Sequence, residues 1–259
     1  MALKNNNAIS CLLLSYKTPS MKTIQQCKVS AIIPAAGLGK RFGPGKDKPF
    51  RTLGGKPLIL WPLEALQSIP GISEIIPVLR LEDTESGREL FERYGITKIK
   101  RIAPGGKERQ HSVYNGLKLI DDKYGIVVIH DGARPLVKKE FIEEMLTEMV
   151  GSKDAFDGII PGVPVKDTIK EAENGMVRTT LKRDNLWAVQ TPQIFRHEKI
   201  LQAYEQAMKK RYYATDDAAL VEKYGGKIRI IMGSYRNIKI TTQEDLIIAE
   251  ALLRENWKS

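Results

Sequence analysis

Ala31-Ile-Ile-Pro34-Ala-Ala-Gly37-Leu-Gly39-Lys40-Arg41-Phe42, with Lys46-Asp47-Lys48-Pro49 close behind, joins an apolar run to a small-residue loop and then to two groups of cations. Residues 29–33 read as a buried strand, and the loop follows at once. A backbone with few side chains approaches a polyphosphate closely and offers it N–H groups. Lys and Arg behind it supply the charge that phosphate chemistry needs. Strand, glycine loop, Arg and Lys in that order point to a nucleoside triphosphate. Two glycines alone would serve a plain turn equally well, and the lysines a solvated face. The third position of a G-x-G-x-x-G dinucleotide fingerprint is Phe42, and no G-x-x-x-x-G-K-[ST] follows, so the loop is neither of those phosphate sites.

Outward from this stretch, strands and helices alternate. The spacing predicts helices over residues 57–69, 84–94, 108–123 and 138–150, with Thr84 as the N-cap of the second. It predicts strands over 74–79, 98–102 and 125–129 and a further one starting at 157–161. The run Gly125-Ile-Val-Val-Ile129 is continuously apolar, as in a sheet covered on both faces. From Pro161 to Phe195 the rhythm breaks into short β-prone pieces, 167–170 and 176–181, around a Glu173-Asn174-Gly175 hairpin signal. A β-arm is expected there, since a long structureless loop in a compact domain is unusual. Helices resume at 198–210 and 216–224, a strand follows at 227–232, and a helix closes the chain at 243–256. The expected fold is α/β: a mostly parallel twisted sheet with helices on both faces. It forms one domain over 28–256, with an arm at about 162–190.

The 259 residues, 42% hydrophobic and 28% charged, suit an ordinary globular protein with a sizeable core. The net charge of +10 would suit nucleic acid, an anionic membrane or a small polyanion. The basic residues are mostly interleaved with acids, Lys209-Lys-Arg211 being the densest run, and no zinc-finger spacing or RNA-binding aromatic signature accompanies them. A phosphate-binding cleft accounts for the charge, and neither nucleic acid nor a membrane is expected as a partner. Cys11 and Cys27 form no disulfide framework, which reads as a reducing compartment. Residues 1–28 hold four lysines but no acid and no Arg, and the apolar run from Ile9 to Leu14 is too short to span a bilayer. Residues 1–27 read as a flexible tail on a cytoplasmic protein. A plastid transit peptide is the alternative, with the lack of Arg against it.

Ligands of open α/β sheets bind at the carboxyl ends of the strands. Three polar clusters fall there. The first is the opening loop. The second, Pro104-Gly105-Gly106-Lys107-Glu108-Arg109-Gln110-His111-Ser112, is a glycine turn leading into a helix. Its Ser112 and backbone suit a nucleobase or sugar, or simply cap the helix. The third, His130-Asp131-Gly132-Ala133-Arg134-Pro135, follows the most apolar strand. Asp131 is placed to hold Mg²⁺, which takes one or two carboxylates plus substrate phosphates; an Asx-turn is the structural alternative. Arg134 is placed to form a salt bridge or to face the phosphate of a second substrate.

Taken in order, Pro34-Ala-Ala-Gly37-Leu-Gly39-Lys-Arg41, Lys48-Pro-Phe, Glu108-Arg-Gln-His-Ser112, His130-Asp-Gly-Ala-Arg134-Pro, Pro164-Val-Lys-Asp167-Thr168, Leu186-Trp-Ala-Val-Gln-Thr191-Pro-Gln, Thr215-Asp216-Asp217 and Asn237-Ile-Lys239-Ile-Thr resemble the 2-C-methyl-D-erythritol 4-phosphate cytidylyltransferases. The likeness covers about residues 28 to 254. It implies a Rossmann-like nucleotidyltransferase fold whose first loop, with Pro34, Ala35, Ala36, Gly37 and Gly39, wraps CTP. It implies that Arg41 and Lys48 stabilise the transition state, that catalytic Lys239 at the acceptor and active-site rim adds charge neutralisation, and that Asp131 ligates Mg²⁺. Gly105, Gly106, Ser112 and Gly132 would surround the cytidine. Arg134, Thr168, Arg183, Thr191 and Thr215 would surround a sugar-alcohol phosphate. It also implies a homodimer with interlocking arms, Thr168 and Arg183 serving the neighbouring site.

Such a reaction has the acceptor's phosphate attack the α-phosphorus of CTP and expel pyrophosphate. The nucleophile is already an anion, so a strong general base is not needed, and no convincing His base is seen. In-line positioning and charge neutralisation carry the step. Two departures from the family's pattern stand out: Asp47 precedes Lys48 where Pro is frequent, with Lys46 near enough to share its role, and Gly132 replaces Ala or Ser. Ribitol-5-phosphate cytidylyltransferase is the nearest alternative activity. A non-catalytic nucleotide-binding protein is the alternative of another class.

Overall fold

The structure, a computed structural model, describes residues 28–37, 50–121, 125–152 and 154–256. The chain runs β1 (Val29–Pro34), β2 (Thr52–Leu53), β3 (Lys56–Pro57), α1 (Leu60–Gln67), β4 (Ile72–Leu79), α2 (Thr84–Arg93), β5 (Ala103–Pro104), α3 (Arg109–Leu117), β6 (Ile126–Ile129) and α4 (Lys139–Gly151). It continues β7 (Gly158–Pro164), β8 (Lys170–Glu173), β9 (Met176–Thr180), β10 (Trp187–Val189), β11 (Gln193–Arg196), α5 (His197–Lys210), α6 (Asp217–Lys223), β12 (Ile228–Met232) and α7 (Gln243–Asn256).

β1 lies between β4 and β6 and is parallel to both, with β5 parallel beyond β4. The chain builds outward through β4 and β5, then returns to place β6 on the other side of β1. That reversal makes the β1–β6 boundary the switch point of the sheet, where the carboxyl ends diverge into a crevice. β11 runs antiparallel between β6 and the start of β7. β10 continues along the same edge of β7, and β12 lies parallel on its other edge.

Strand alternation sends side chains into two apolar layers. Val29, Ala31 and Ile33 of β1, with Ile126 and Val128 of β6, meet α1 and α4 on one face. Ile32, Val127 and Ile129 meet α3, α5 and α6 on the other. Every residue of β6 is buried, as its unbroken apolar sequence predicts. A third, smaller cluster packs α7 against the β2–β3 hairpin through Leu53, Leu58, Ile240 and Ala249.

The expected α/β architecture is present, with differences in its parts. The strand expected over 98–102 is reduced to one bridge, Ile75 to Ile99, and pairing moves to β5. Lys98 is held instead by Gln67, whose Oε1 accepts its N–H at 3.0 Å. Thr84 does not cap α2: its hydroxyl donates to Arg80 O (3.2 Å), and Asp83 occupies the cap position with its carboxylate gripped by Arg80. The helix expected over 57–69 starts at Leu60 because Lys56 and Pro57 pair with β2, and the one expected over 108–123 ends at Leu117. In the arm, Asn174 and Gly175 both take left-handed φ, 51° and 79°, the signature of a tight two-residue turn. That turn pairs Glu173 with Met176 and Lys170 with Thr180, so the first strand begins at Lys170 rather than Asp167. β10 and β11 are sheet strands that the short, Pro-punctuated sequence did not announce. Among the described residues no helix is long and apolar enough to cross a membrane.

Candidate active site

Three turns meet at the carboxyl edge of the sheet. Pro34 ends β1 beside Val78, and Ala35 N donates to Val78 O at 2.9 Å. Gly105 N donates to Leu79 O at 2.7 Å, which brings the second turn against the first. A Cβ on Gly105 would lie 2.4 Å from Ala36 Cβ, and one on Gly106 would lie 2.3 Å from His111 Cβ. The close approach is what glycine permits there. Ser112 Oγ accepts from Gly106 N (3.0 Å) and donates to Glu108 O (3.3 Å), so this hydroxyl closes the turn from within. Gly132 abuts Ile33 and Ala35, and Gly37 stands open. Gly39, Arg41, Lys46 and Lys48 lie outside the described residues.

The third turn carries Asp131, which is buried and surrounded by cations. Lys239 Nζ sits 2.7 Å from Oδ2, Arg109 Nε 3.2 Å from Oδ1, and Arg134 Nε 3.9 Å from Oδ2. Burial alone would raise the Asp131 carboxyl, but Arg109, Lys239 and Arg134 reverse the sign and hold it below the usual carboxylate range. Arg109 is itself clamped by fully buried Asp217, Nη1 to Oδ1 at 2.8 Å and Nη2 to Oδ2 at 2.7 Å. The phenol of Tyr204 donates to the same carboxylate. Three cationic side chains thus face two carboxylates, leaving one positive charge in excess at the crevice. Arg134 Nε is buried and makes no hydrogen bond among the described residues, Asp131 Oδ2 lying 3.9 Å away.

Around Asp131 the backbone is tied to two distant segments. Asp131 N donates to Thr191 Oγ1 (3.0 Å), and Thr191 Oγ1 lies 3.0 Å from His130 Nδ1. His130 Nε2 lies 3.1 Å from Arg134 O, Arg134 Nη1 donates to Asn237 O (2.6 Å), and Asn237 Nδ2 donates to Thr191 O (2.9 Å). Burial pushes the His130 imidazole down to about 4, so it is neutral at physiological pH. Lys239 follows two residues after Asn237, and its neighbour Ile240 is anchored by donating to Ala133 O (2.8 Å) and by packing in the third cluster.

Lys239, Asp131, Arg134 and Thr191 are therefore brought together, with Gly132 on the same turn. Thr215 is exposed, in the loop just before the Asp216 cap of α6. Gln110 ties that loop to α3 by accepting from Ala214 N (3.0 Å) and donating to Tyr212 O (2.9 Å). Thr168 and Arg183 are exposed at the base of the arm, where Arg183 donates to Lys166 O at 2.7 Å. Among the described residues no hydrogen bond or ion pair links either to the Asp131 cluster. Sequence reading had singled out neither Arg109 nor Asp217 as a site residue. The available signal was an Arg at the first position of a helix, where the dipole disfavours a cation unless a carboxylate compensates it.

Asp131 is the single carboxylate facing the crevice from its turn, and among the described residues no three His, Cys, Asp or Glu gather as a ready-made metal cage. One carboxylate is the share a magnesium ion takes when substrate phosphates supply the rest, and here Lys239 at Oδ2 would have to give way to it. The arrangement can neutralise a polyphosphate and hold two anionic reactants against each other.

The family model described as 2-C-methyl-D-erythritol 4-phosphate cytidylyltransferase matches residues 29–255. The chain is 47% identical over 223 residues to the protein of that name from Geobacillus thermodenitrificans, covering 86% of this chain and 96% of the relative. It is 42% identical over 231 residues to that from Geobacter metallireducens, covering 88% and 98%. Among solved structures, 4-diphosphocytidyl-2C-methyl-D-erythritol synthase from Anaerococcus prevotii superposes with a TM-score of 0.78 at 33% identity, covering 90% of this chain and 99% of that one. The cytidylyltransferase from Thermus thermophilus gives 0.69 at 27% identity, covering 86% and 98%.

Proposed function

The chain belongs to the 2-C-methyl-D-erythritol 4-phosphate cytidylyltransferase family, and on that premise we propose that it transfers CMP from CTP to 2-C-methyl-D-erythritol 4-phosphate. The products are 4-diphosphocytidyl-2-C-methyl-D-erythritol and pyrophosphate, in non-mevalonate isoprenoid precursor synthesis. The observation that carries the reading is the buried Asp131 carboxylate among Arg109, Arg134 and Lys239 at the switch point of the sheet.

The glycine loop after β1 and the Gly105-Gly106 turn are assigned to CTP, since small-residue turns let phosphate and cytidine approach the backbone closely. Gly132 lies against Ile33 and Ala35, so the third turn packs next to the first. The half-exposed Lys239 presents its ammonium to the acceptor's phosphate, and Arg134 adds its charge from behind Asp131. Arg41 and Lys48 are assigned to the α-phosphorus, and Lys46 shares the role of Lys48. Asp131 would hold Mg²⁺, which supplies further neutralisation of the triphosphate when bound. The acceptor phosphate attacks in line as an anion, so no residue removes a proton from it. Lys239 and Arg109, paired to Asp131 without substrate, keep the carboxylate ionised and correctly turned.

Residues 28–256 act as one nucleotidyltransferase domain with an arm at about 162–190, preceded by a tail at 1–27, and the protein works in the cytoplasm. Met176 and Val177 of the arm are 74% and 60% exposed, and Leu181, Trp187 and Val189, further along the chain toward its base, are exposed as well. Apolar exposure of that kind fits a homodimer in which arms interlock, delivering Thr168 and Arg183 to the neighbouring acceptor site, while Thr215 serves its own.

Pyrophosphate release is measured with CTP, Mg²⁺ and either 2-C-methyl-D-erythritol 4-phosphate or ribitol 5-phosphate. Turnover is expected with the first. Turnover with ribitol 5-phosphate alone, or with neither, overturns the reading. A Lys46→Ala, Lys48→Ala double variant with wild-type turnover refutes the role given to those lysines.

A further inference from the structure

The hydrogen bonds beneath the site form a closed circuit. It runs from His130 to Arg134 O, from Arg134 to Asn237 O, from Asn237 to Thr191 O, and from Thr191 back to His130 Nδ1. The four residues are buried, 0–9% exposed. They come from three places in the chain: the turn after β6, the link between β10 and β11, and the loop leading to α7. Each of those places holds part of the site. The first holds Asp131 and Arg134, the second follows the arm, and the third holds Lys239.

Donor logic fixes the protons of the circuit. A carbonyl only accepts, so His130 Nε2 must carry the hydrogen that meets Arg134 O. A neutral imidazole carries one hydrogen, here on Nε2, so Nδ1 is bare and accepts the Thr191 hydroxyl hydrogen, while Thr191 Oγ1 accepts from Asp131 N–H. Thr191 Oγ1 is therefore committed on both sides, and its carbonyl is taken by Asn237. Its one hydrogen is spent inside the circuit, so this buried side chain has none to donate to a substrate phosphate.

We propose that His130, Thr191 and Asn237 are positioning residues that act as one unit: their circuit sets Asp131, Arg134 and Lys239 at fixed separations, and Thr191 serves the reaction from beneath the site rather than by touching the acceptor. The kinetic part rests on the cytidylyl-transfer reading above; the structural part does not.

The first test uses the wild-type protein without substrates. Nitrogen-15 NMR of histidine-labelled enzyme at neutral pH is expected to show His130 as the neutral Nε2–H tautomer. A Nδ1–H tautomer or an imidazolium overturns the circuit, whatever the enzyme turns over. The second test is kinetic, with CTP and 2-C-methyl-D-erythritol 4-phosphate, on Thr191→Val, Asn237→Ala and the double variant, with Thr191→Ser as the conservative control. A unit gives non-additive losses. Each single variant is expected to lose about 50-fold in kcat, and the double variant about 50- to 100-fold rather than the product. The KM of CTP is expected to stay within about threefold, and Thr191→Ser within about threefold of wild-type kcat. Multiplicative losses, or a Thr191→Val defect confined to the acceptor's KM, overturn the proposal. Should Asn237→Ala fail to fold, Thr191→Val against Thr191→Ser still separates the two outcomes, and so does NMR. Absence of turnover in the wild type would count against the cytidylyl-transfer reading and leave the NMR result standing.

Discussion

Replacing Asp217 by Asn isolates the clamp behind the cleft. The change keeps shape and removes one charge at a side chain that is fully buried. It also turns one of two acceptors into a donor facing Arg109, whose Nη1 and Nη2 lie 2.8 and 2.7 Å from the carboxylate. Breaking a buried pair from one side costs about 3–5 kcal/mol. The Arg109 side chain is 32% exposed and keeps Asp131 at 3.2 Å, so the cost falls at or below the low end of that range, about 2–3 kcal/mol. For a domain of this size that corresponds to a fall in Tm of about 4–12 °C. Calorimetry and urea unfolding with unchanged m-value measure it. Turnover should fall tenfold or more, since about 1.4 kcal/mol of lost transition-state placement is tenfold. An Arg109→Met, Asp217→Leu double variant should recover much of the stability, because packed apolar residues often replace a buried pair without loss. It should not recover turnover, because Asp131 still lacks its Arg109 neighbour. A Tm within about 1 °C of wild type for Asp217→Asn refutes the claim that this pair anchors α6 to α3.

Gly105→Ala is expected to raise the KM of CTP at least tenfold and destabilise by about 1–3 kcal/mol through the 2.4 Å clash with Ala36. Gly132→Ala, whose nearest contact would be Ile33 Cγ2 at 3.3 Å, should stay within about threefold of wild-type turnover. The His130 imidazole takes a proton near 6.5 when unfolded but only near about 4 when folded, so the unfolded state binds more protons between those values and stability drops as pH falls through them. The contribution is about 3 kcal/mol, and the pH 4–6.5 slope of urea stability should flatten accordingly in His130→Gln. Val177→Asp and Trp187→Glu, at exposed positions of the arm and its base, should shift sedimentation to the monomer and lower turnover together; a monomeric variant with full activity refutes shared sites.

The central layers were legible because their signals are local. β6 is four apolar residues buried on both faces, and its run in the sequence says so. The arm's turn was legible for the same reason, since Asn174-Gly175 is the pair that accepts two positive φ values. What escaped was pairing decided at a distance. β11 slots antiparallel between β6 and β7, and nothing in Gln193-Ile-Phe-Arg196 specifies those neighbours. The 98–102 segment alternates well enough for a strand, yet a single glutamine from α1 competes for its backbone.

The site divides along the same line. Asp131, Arg134 and Lys239 were legible as charges at strand ends and motif positions, and the structure brings them within ion-pair distance or just short of hydrogen bonding. Arg109 and Asp217 are 108 residues apart. Their encounter depends on α3 and α6 both starting at the sheet's carboxyl edge. Asp216 caps α6 by accepting from Ala219 N at 3.0 Å, and its Oδ2 accepts from Gln193. That fixes where the helix begins and turns the next residue, Asp217, inward onto Arg109. Two adjacent acids thus do different work: the first ends a loop, and the second charges the floor of the cleft. A carboxylate placed by a helix cap is tied to backbone geometry, so Asp217 can hold Arg109, and through it Asp131, without itself reaching the crevice.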